Sequence, residues 1–344
     1  YQVSIRGSIG SVTFTDETVF GIPQGAYEPK AKSEQIVGYL RYSEQSAIRT
    51  KLPIDEKTES AKVSNSNELY RAVSCGQKPI FADDNSGIAL KKLYDEARDV
   101  LTTYVSDDMS DYEKVAVIYD WIVNVVDYDY AAAQLQGDDT GKYNAFYLEG
   151  VFNNHRAVCD GKSKAFALLC GMENIKAVRV VGYADKNLKD LDLSSKKVLA
   201  SIGHAWNKVL IDADDDGVKE WYVVDTTWGD VAVNKEGASG GVYEYLNYAY
   251  FLKTDEDIKD THLAKTYNPI ANTDVNVYKK TVIKVGSVSF DLYVESVVEL
   301  EEIVAYSKAN GIIPVPVYIV SGVKGFGYSI VSIDDNQAII FART

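Results

Sequence analysis

A change in hydrophobic period near residue 175 constrains this chain more than any other feature. Before it, apolar residues recur every three to four positions. Asn65 and Glu68 have capping-box spacing ahead of Leu69, Ala72 and Val73, and Gly76 ends the run. Across residues 87–104 the stripe Leu90, Leu93, Tyr94, Ala97, Val100, Leu101 and Tyr104 keeps helical spacing. Ser110 and Glu113 repeat the capping box before Val115, Ile118, Ile122 and Val125. A further helix is expected over 159–171, with Phe166, Leu169 and Cys170 inward. After it the period is two: 177–183, 204–211 and 221–226 are rich in Val, Ile, Tyr and Trp. Residues 212–217 read D-A-D-D-D-G, a turn composition, so the last two runs pair as a hairpin. Helices followed by antiparallel strands predict an α+β domain over 65–275.

The flanks read differently. Residues 1–64 hold short alternating runs at 11–15 and 35–40, broken by Gly and Pro, and predict a β-rich N-terminal segment. Residues 276–344 predict a small C-terminal α+β accessory domain of order ββαβββ. Its strands fall at 277–285, 287–294, 315–320, 328–333 and 338–341, and its helix at 296–309. That region has no His and no Cys, which argues against thiol chemistry there. Of the net charge of −14, the flanks carry almost nothing. Residues 1–64 have eight acidic and eight basic side chains and 276–344 have seven and six, leaving −13 for 65–275. Such an acidic balance argues against nucleic acid or anionic lipid as a general partner, since both reward clustered Lys and Arg. No run approaches the roughly 18 apolar residues of a membrane span. The start at Tyr1 without a signal-like apolar run reads as a mature or trimmed product, and 25 Tyr against 10 Phe and 2 Met as a secreted or surface protein.

Three cysteines are too few and too odd in number for a disulfide framework. Cys170 and Cys75 fit small buried hydrophobes. Cys159 does not, because Asp160, Gly161 and Lys162 surround it at a polar helix start. Unpaired N–H groups and the helix dipole there favour an anion, which can bring a thiol from about 8.5 into the ~3.5–7.5 range. Spacing alone leaves two readings of His204: a base oriented by Asp225 across the hairpin, or a surface histidine beside an unrelated acidic strand.

The words around these residues are more specific. Ala157-Val-Cys-Asp-Gly161, Gly203-His-Ala-Trp-Asn207 and Trp221-Tyr-Val-Val-Asp-Thr-Thr-Trp228, in that order, resemble the transglutaminase-like superfamily. More narrowly, they are similar to bacterial surface proteins that carry such a domain. Met109-Ser-Asp-Tyr-Glu-Lys114, Tyr119-Asp-Trp-Ile-Val123, Tyr128-Asp129 and Tyr250-Phe-Leu252 are also similar to that group, over about three-fifths of the chain. The resemblance implies a papain-like core of helices packed on an antiparallel sheet. It carries Cys159 as nucleophile, His204 as base and Asp225 as orienter, with no cofactor. The Cys159 N–H is half of the oxyanion hole, and no side-chain donor for the other half is matched. Lys162 stands where many members have Tyr, so the substrate wall is altered there. Trp206 and Trp228 are candidates to line it, or plain core.

A Cys159 thioester would pass to water, as in a peptidase, or to an amine, as in a protein-glutamine transamidase. Hydrolysis is preferred, because water is always present and nothing signals an amine pocket. Extracellular peptides or cell-wall components, cationic by complement to the acidic domain, are the expected substrates at a bacterial surface. A binding module with an idle triad is the alternative from another class. Asp212, Asp214, Asp216 and Gly217 match half of a calcium loop, but position 12 is Val223 in a strand pattern. They are read as a solvated turn, with no metal. His155 and His262 lack partners at ligand spacing and are read as surface or second-shell residues.

Overall fold

The computed structural model describes residues 49–135 (the Asn124 side chain excepted), 143–230 and 250–275 in full, and elsewhere the backbone of short strands only. The chain divides into two compact units, Ser43–Val275, and Tyr1–Tyr42 with Asn276–Thr344.

In the first unit the helices begin where side chains can satisfy free N–H groups. Helix α1 (Ser66–Ser74) is capped by Asn65, which accepts from the Glu68 N–H at 3.0 Å, while Glu68 accepts from the Ser64 N–H at 2.8 Å. Gly76 leaves the helix in the left-handed region at φ +76. Helix α2 (Asn85–Tyr104) is capped by Asp84, and α3 (Asp111–Val125) by the Ser110/Glu113 box. Helix α4 spans Cys159–Met172.

Strand β1 (Ser60–Val63) pairs in parallel with β2 (Lys78–Phe81). The main sheet contains β3 (Lys176–Ala184), β4 (Gly203–Ile211), β5 (Glu220–Val224), β6 (Phe251–Lys253) and β7 (His262–Ala264). Its order is β6-β5-β4-β3-β7 and every pairing is antiparallel. The α+β expectation holds: helices first, then an antiparallel sheet.

Helix α4 is the centre of the unit. Every residue from Gly161 to Met172 is buried, not only the expected face of Phe166, Leu169 and Cys170. Helices α1 and α3 pack on it, as do β3 and β4, so no face is left for solvent. Each large apolar side chain buried there contributes about 1.5–3 kcal/mol. Two glycines permit the close approach. A Cβ at Gly171 would lie 2.6 Å from the Val73 carbonyl oxygen, and one at Gly161 would lie 2.5 Å from that of Ala145.

Residues 49–64, expected in the N-terminal segment, also pack here. Arg49 donates to both oxygens of buried Glu173 at 2.6 and 3.0 Å, and Lys114 lies 3.3 Å from the same carboxylate. Parallel pairing and a long-range ion pair leave no local pattern in sequence. Cys75 differs from expectation too: it is exposed at the C-cap of α1, where the chain turns out at Gly76, whereas Cys170 is buried.

In the second unit Ile5–Ile9 pairs with Val12–Asp16, and Val282–Val285 with Val288–Asp291, both antiparallel. Tyr293–Val294 pairs in parallel with Tyr318–Ile319, and Ser329–Ile330 antiparallel with Ile340–Phe341. The strand expected at 35–40 and the helix expected at 296–309 lie outside the described residues. Among the described residues no helix is long and apolar enough to cross a membrane.

Candidate active site

Cys159 opens the central helix, half-buried, and its N-cap Val158 offers no side-chain oxygen. The first N–H groups of α4 therefore have no intrahelical or side-chain acceptor, and they gather positive potential at the sulfur. The segment leading in is held by the Val158 N–H donating to Ala145 (3.0 Å) and the Asp129 N–H donating to Ala157 (3.1 Å).

His204, on β4, donates from Nε2 to Asp225 Oδ2 at 2.6 Å. The hairpin turned at 212–217 brings Asp225 beside His204. The observed register pairs Asn207 with Val224 and Ile211 with Glu220, so Asp225, one residue past β5, comes level with Trp206. It reaches His204 diagonally, on the same sheet face. In the turn between the two strands Asp215 (φ 58) and Gly217 (φ +88) take left-handed conformations. The other carboxylate oxygen, Oδ1, accepts the N–H groups of Thr227 (2.8 Å) and Trp228 (3.0 Å), which fixes the carboxylate plane.

A second imidazole completes this set. His262 on β7 donates from Nε2 to Asp225 Oδ2 at 3.1 Å, and its Nδ1 meets the Thr261 hydroxyl at 2.9 Å. Of the two readings open for His262, surface residue is wrong; it is buried behind the Asp225 carboxylate. Gly182 makes this possible. It pairs with His204 on one side and Ala264 on the other, and a Cβ there would lie 2.1 Å from the Leu263 oxygen and 2.8 Å from the Trp206 ring. Scarcity was the one sequence signal for His262, as one of three histidines.

The electrostatics follow from burial and partners. Burial alone would lower the His204 pKa, but the Asp225 charge, the Cys159 sulfur and hydrogen bonds to both outweigh it and raise it to about 10. With Nε2 on Asp225, Nδ1 is left for the sulfur. Burial would raise the Asp225 carboxyl, yet His204 and the hydrogen bonds of both histidines hold it well below the usual carboxylate range. The result is a carboxylate and an imidazolium beside a helix-tip sulfur, which supplies a nucleophile, an acid and an orienting group.

The three residues expected to line the substrate site separate. Trp206 is 2% exposed, stacks on His204 with centroids 6.0 Å apart, and belongs to the core with Val180 and Val223. Lys162 is wholly buried and paired with Asp230, so it forms no wall of a groove; an ammonium inside α4 requires that partner. Trp228 alone keeps exposed surface, its ring 6.2 Å from His204 and 4.7 Å from His262. His155 is exposed, as expected.

Among the described residues, two groups bring possible metal-donor atoms within 4.8 Å of one another: His204, Asp225 and His262, and Asp212, Asp214 and Asp216. In the first, the facing lone pairs and N–H groups are engaged in the bonds above. In the second, Asp212 accepts the N–H groups of Asp216 (3.2 Å) and Gly217 (2.9 Å), which makes it the clasp of its own turn.

Residues 98–226 match the family model for the transglutaminase-like superfamily. Kyphoscoliosis peptidase of Homo sapiens is 24% identical over 190 residues, and that of Mus musculus 26%, each match covering 53% of this chain. The chain spans about a quarter of these curated relatives, 26% of either. A solved structure described as a TGase is 22% identical, covers 51% of this chain and 40% of its own, and superposes with a TM-score of 0.32. With a cysteine at the tip of a central helix and the antiparallel sheet beside it, residues 98–226 form a domain similar to the transglutaminase-like superfamily.

Proposed function

We propose that this protein is a thiol amide hydrolase in which Cys159 attacks an amide carbonyl, His204 protonates the leaving amine and Asp225 aligns the imidazole. The observation that carries the reading is the buried 2.6 Å His204–Asp225 bond next to a sulfur at a helix start. Sγ adds to the carbonyl carbon and the C=O electron pair moves to oxygen. As the pair returns, the C–N bond breaks and the amine takes the His204 proton. The acyl group, held as a thioester, then passes to water, with His204 now accepting the proton that water gives up. A peptidase name among the relatives supports hydrolysis over transfer to an amine. The −13 charge of residues 65–275 favours cationic peptides or cell-wall stems as substrates, and the tyrosine-rich composition favours an extracellular, bacterial-surface setting.

The test is incubation with a peptide library, with and without dansyl-cadaverine, followed by mass spectrometry. New peptide termini that vanish in Cys159→Ala support hydrolysis. Dye incorporation that vanishes in the same variant makes the protein a transamidase. Neither product would leave a binding module with an idle triad.

A further inference from the structure

The acyl-transfer chemistry uses one histidine, yet two are buried on the same carboxylate. A carboxylate has about four lone-pair positions, and on Asp225 four N–H groups occupy them. Thr227 and Trp228 donate to Oδ1, and His204 and His262 donate to Oδ2 at 2.6 and 3.1 Å. The two backbone donors already hold the carboxylate plane, so His262 is not needed to place it. What His262 adds is a second claim on the oxygen that faces His204. Its side chain is wholly buried among Trp206, Trp228 and Tyr250, with ring centroids 5.1, 4.7 and 5.5 Å away. Thr261, whose hydroxyl also reaches the Ile258 oxygen at 3.1 Å, engages Nδ1 and so turns Nε2 toward Asp225.

We infer that His262 is a positioning residue that acts through Asp225: by sharing Oδ2 it keeps the carboxylate from holding the His204 proton too tightly to be given to the leaving group. The inference rests on the acyl-transfer reading above. Hydrogen bonds donated to a carboxylate stabilise its charged form and lower its basicity, and His262 does so for Asp225. The other titratable groups that face the pair are Cys159 at the start of α4, Tyr128 beside the segment entering α4, and Tyr250 ahead of β6. Burial holds both phenols above their ordinary pKa, so they stay protonated while His204 works. In the step itself Sγ bonds to the carbonyl carbon and the bond to the leaving atom breaks. Its electron pair goes with that atom, which takes the His204 proton.

The probes are 4-nitrophenyl acetate and phenyl acetate, compared by the rate at which each acetylates Cys159. Nitrophenolate leaves as an anion, whereas the more basic phenolate depends on the His204 proton. His262→Phe keeps a flat ring in the cavity and removes the N–H. The expected result is a phenyl acetate rate that falls about 10-fold further than the nitrophenyl acetate rate. His262→Gln, which keeps an N–H donor for Oδ2, should bring the ratio back. In protein carrying nitrogen-labelled histidine, the downfield His204 Nε2–H signal should move further downfield in His262→Phe, as its bond to Asp225 tightens. Thr261→Val leaves the ring but frees Nδ1. It should move both readouts the same way by less, and it stands in where the Phe variant does not fold. Equal slowing of the two esters, or an unmoved N–H signal, overturns the inference and makes His262 a packing residue. A wild-type protein that reacts with neither ester overturns the acyl-transfer reading itself, while the N–H signal still reports whether His262 shares Asp225.

Discussion

The proton on His204 offers the sharpest test of the site, because the chain has three histidines and their imidazole resonances are few. The perturbation is Asp225→Asn, followed by NMR titration of the ring Cε1–Hε1 signals. In the wild type His204 is buried, which by itself favours the neutral ring, and Asp225 with Cys159 overcomes that and brings the pKa from 6.5 to about 10. At about 1.4 kcal/mol per pH unit, that difference corresponds to about 5 kcal/mol favouring the imidazolium. The His204 signal should therefore stay in its protonated position from pH 5 to 8.5. Removing the carboxylate leaves burial opposing the charge, so the midpoint in Asp225→Asn should fall to 6.5 or below. Stability follows the same sign. A raised imidazole pKa stabilises the fold fully below about 6.5, and that contribution fades as pH climbs toward 10. The depressed Asp225 carboxyl stabilises above about 4 and loses its contribution as pH drops further. Urea midpoints should accordingly peak between about pH 4 and 6.5, and their decline above 6.5 should flatten in the variant. A wild-type His204 midpoint near 6.5, or one still near 10 in Asp225→Asn, would refute the reasoning.

Three further outcomes are expected. At about pH 6, iodoacetamide should label Cys159 well ahead of exposed Cys75 and leave Cys170 untouched, and His204→Ala should remove the advantage; equal labelling in the wild type speaks against an activated thiol. Lys162→Met strands the buried Asp230 carboxylate and should cost about 3–5 kcal/mol in urea unfolding. Adding Asp230→Leu should recover most of that loss, and a single variant as stable as wild type would contradict the buried pair. Gly182→Ala sets a Cβ 2.1 Å from the Leu263 oxygen, so β7 must retreat and draw His262 away from Asp225. About 1–3 kcal/mol and faster amide exchange at Leu263 are expected, and a change under 0.5 kcal/mol would show that the sheet edge yields freely.

The helices were legible because their signals are local. Asn65 with Glu68 and Ser110 with Glu113 cap helices within one turn, so the spacing that satisfies free N–H groups is written in consecutive residues. The place of Cys159 was legible for a related reason: a cysteine among polar residues at a helix start does not read as core, and it is the partly exposed first residue of α4. His204 and Asp225 could be joined because a hairpin keeps them near in sequence, whereas their diagonal placement needed the strand register. Lys162 was misjudged because local sequence cannot show that α4 is covered on every side.

What the amino-acid order determined by itself is whatever depends on neighbours a few residues apart: helix starts, strand alternation, the hairpin, and the cysteine at a helix tip. Tertiary structure alone decided which distant groups share one carboxylate. It brought His262 from β7 onto Asp225 through the missing side chain of Gly182, and Tyr128 alongside Ala157 through a two-residue parallel pairing. It also buried Lys162 against Asp230. Such contacts depend on chain closure over tens of residues, where spacing carries no periodic trace and only the packed core selects the partner.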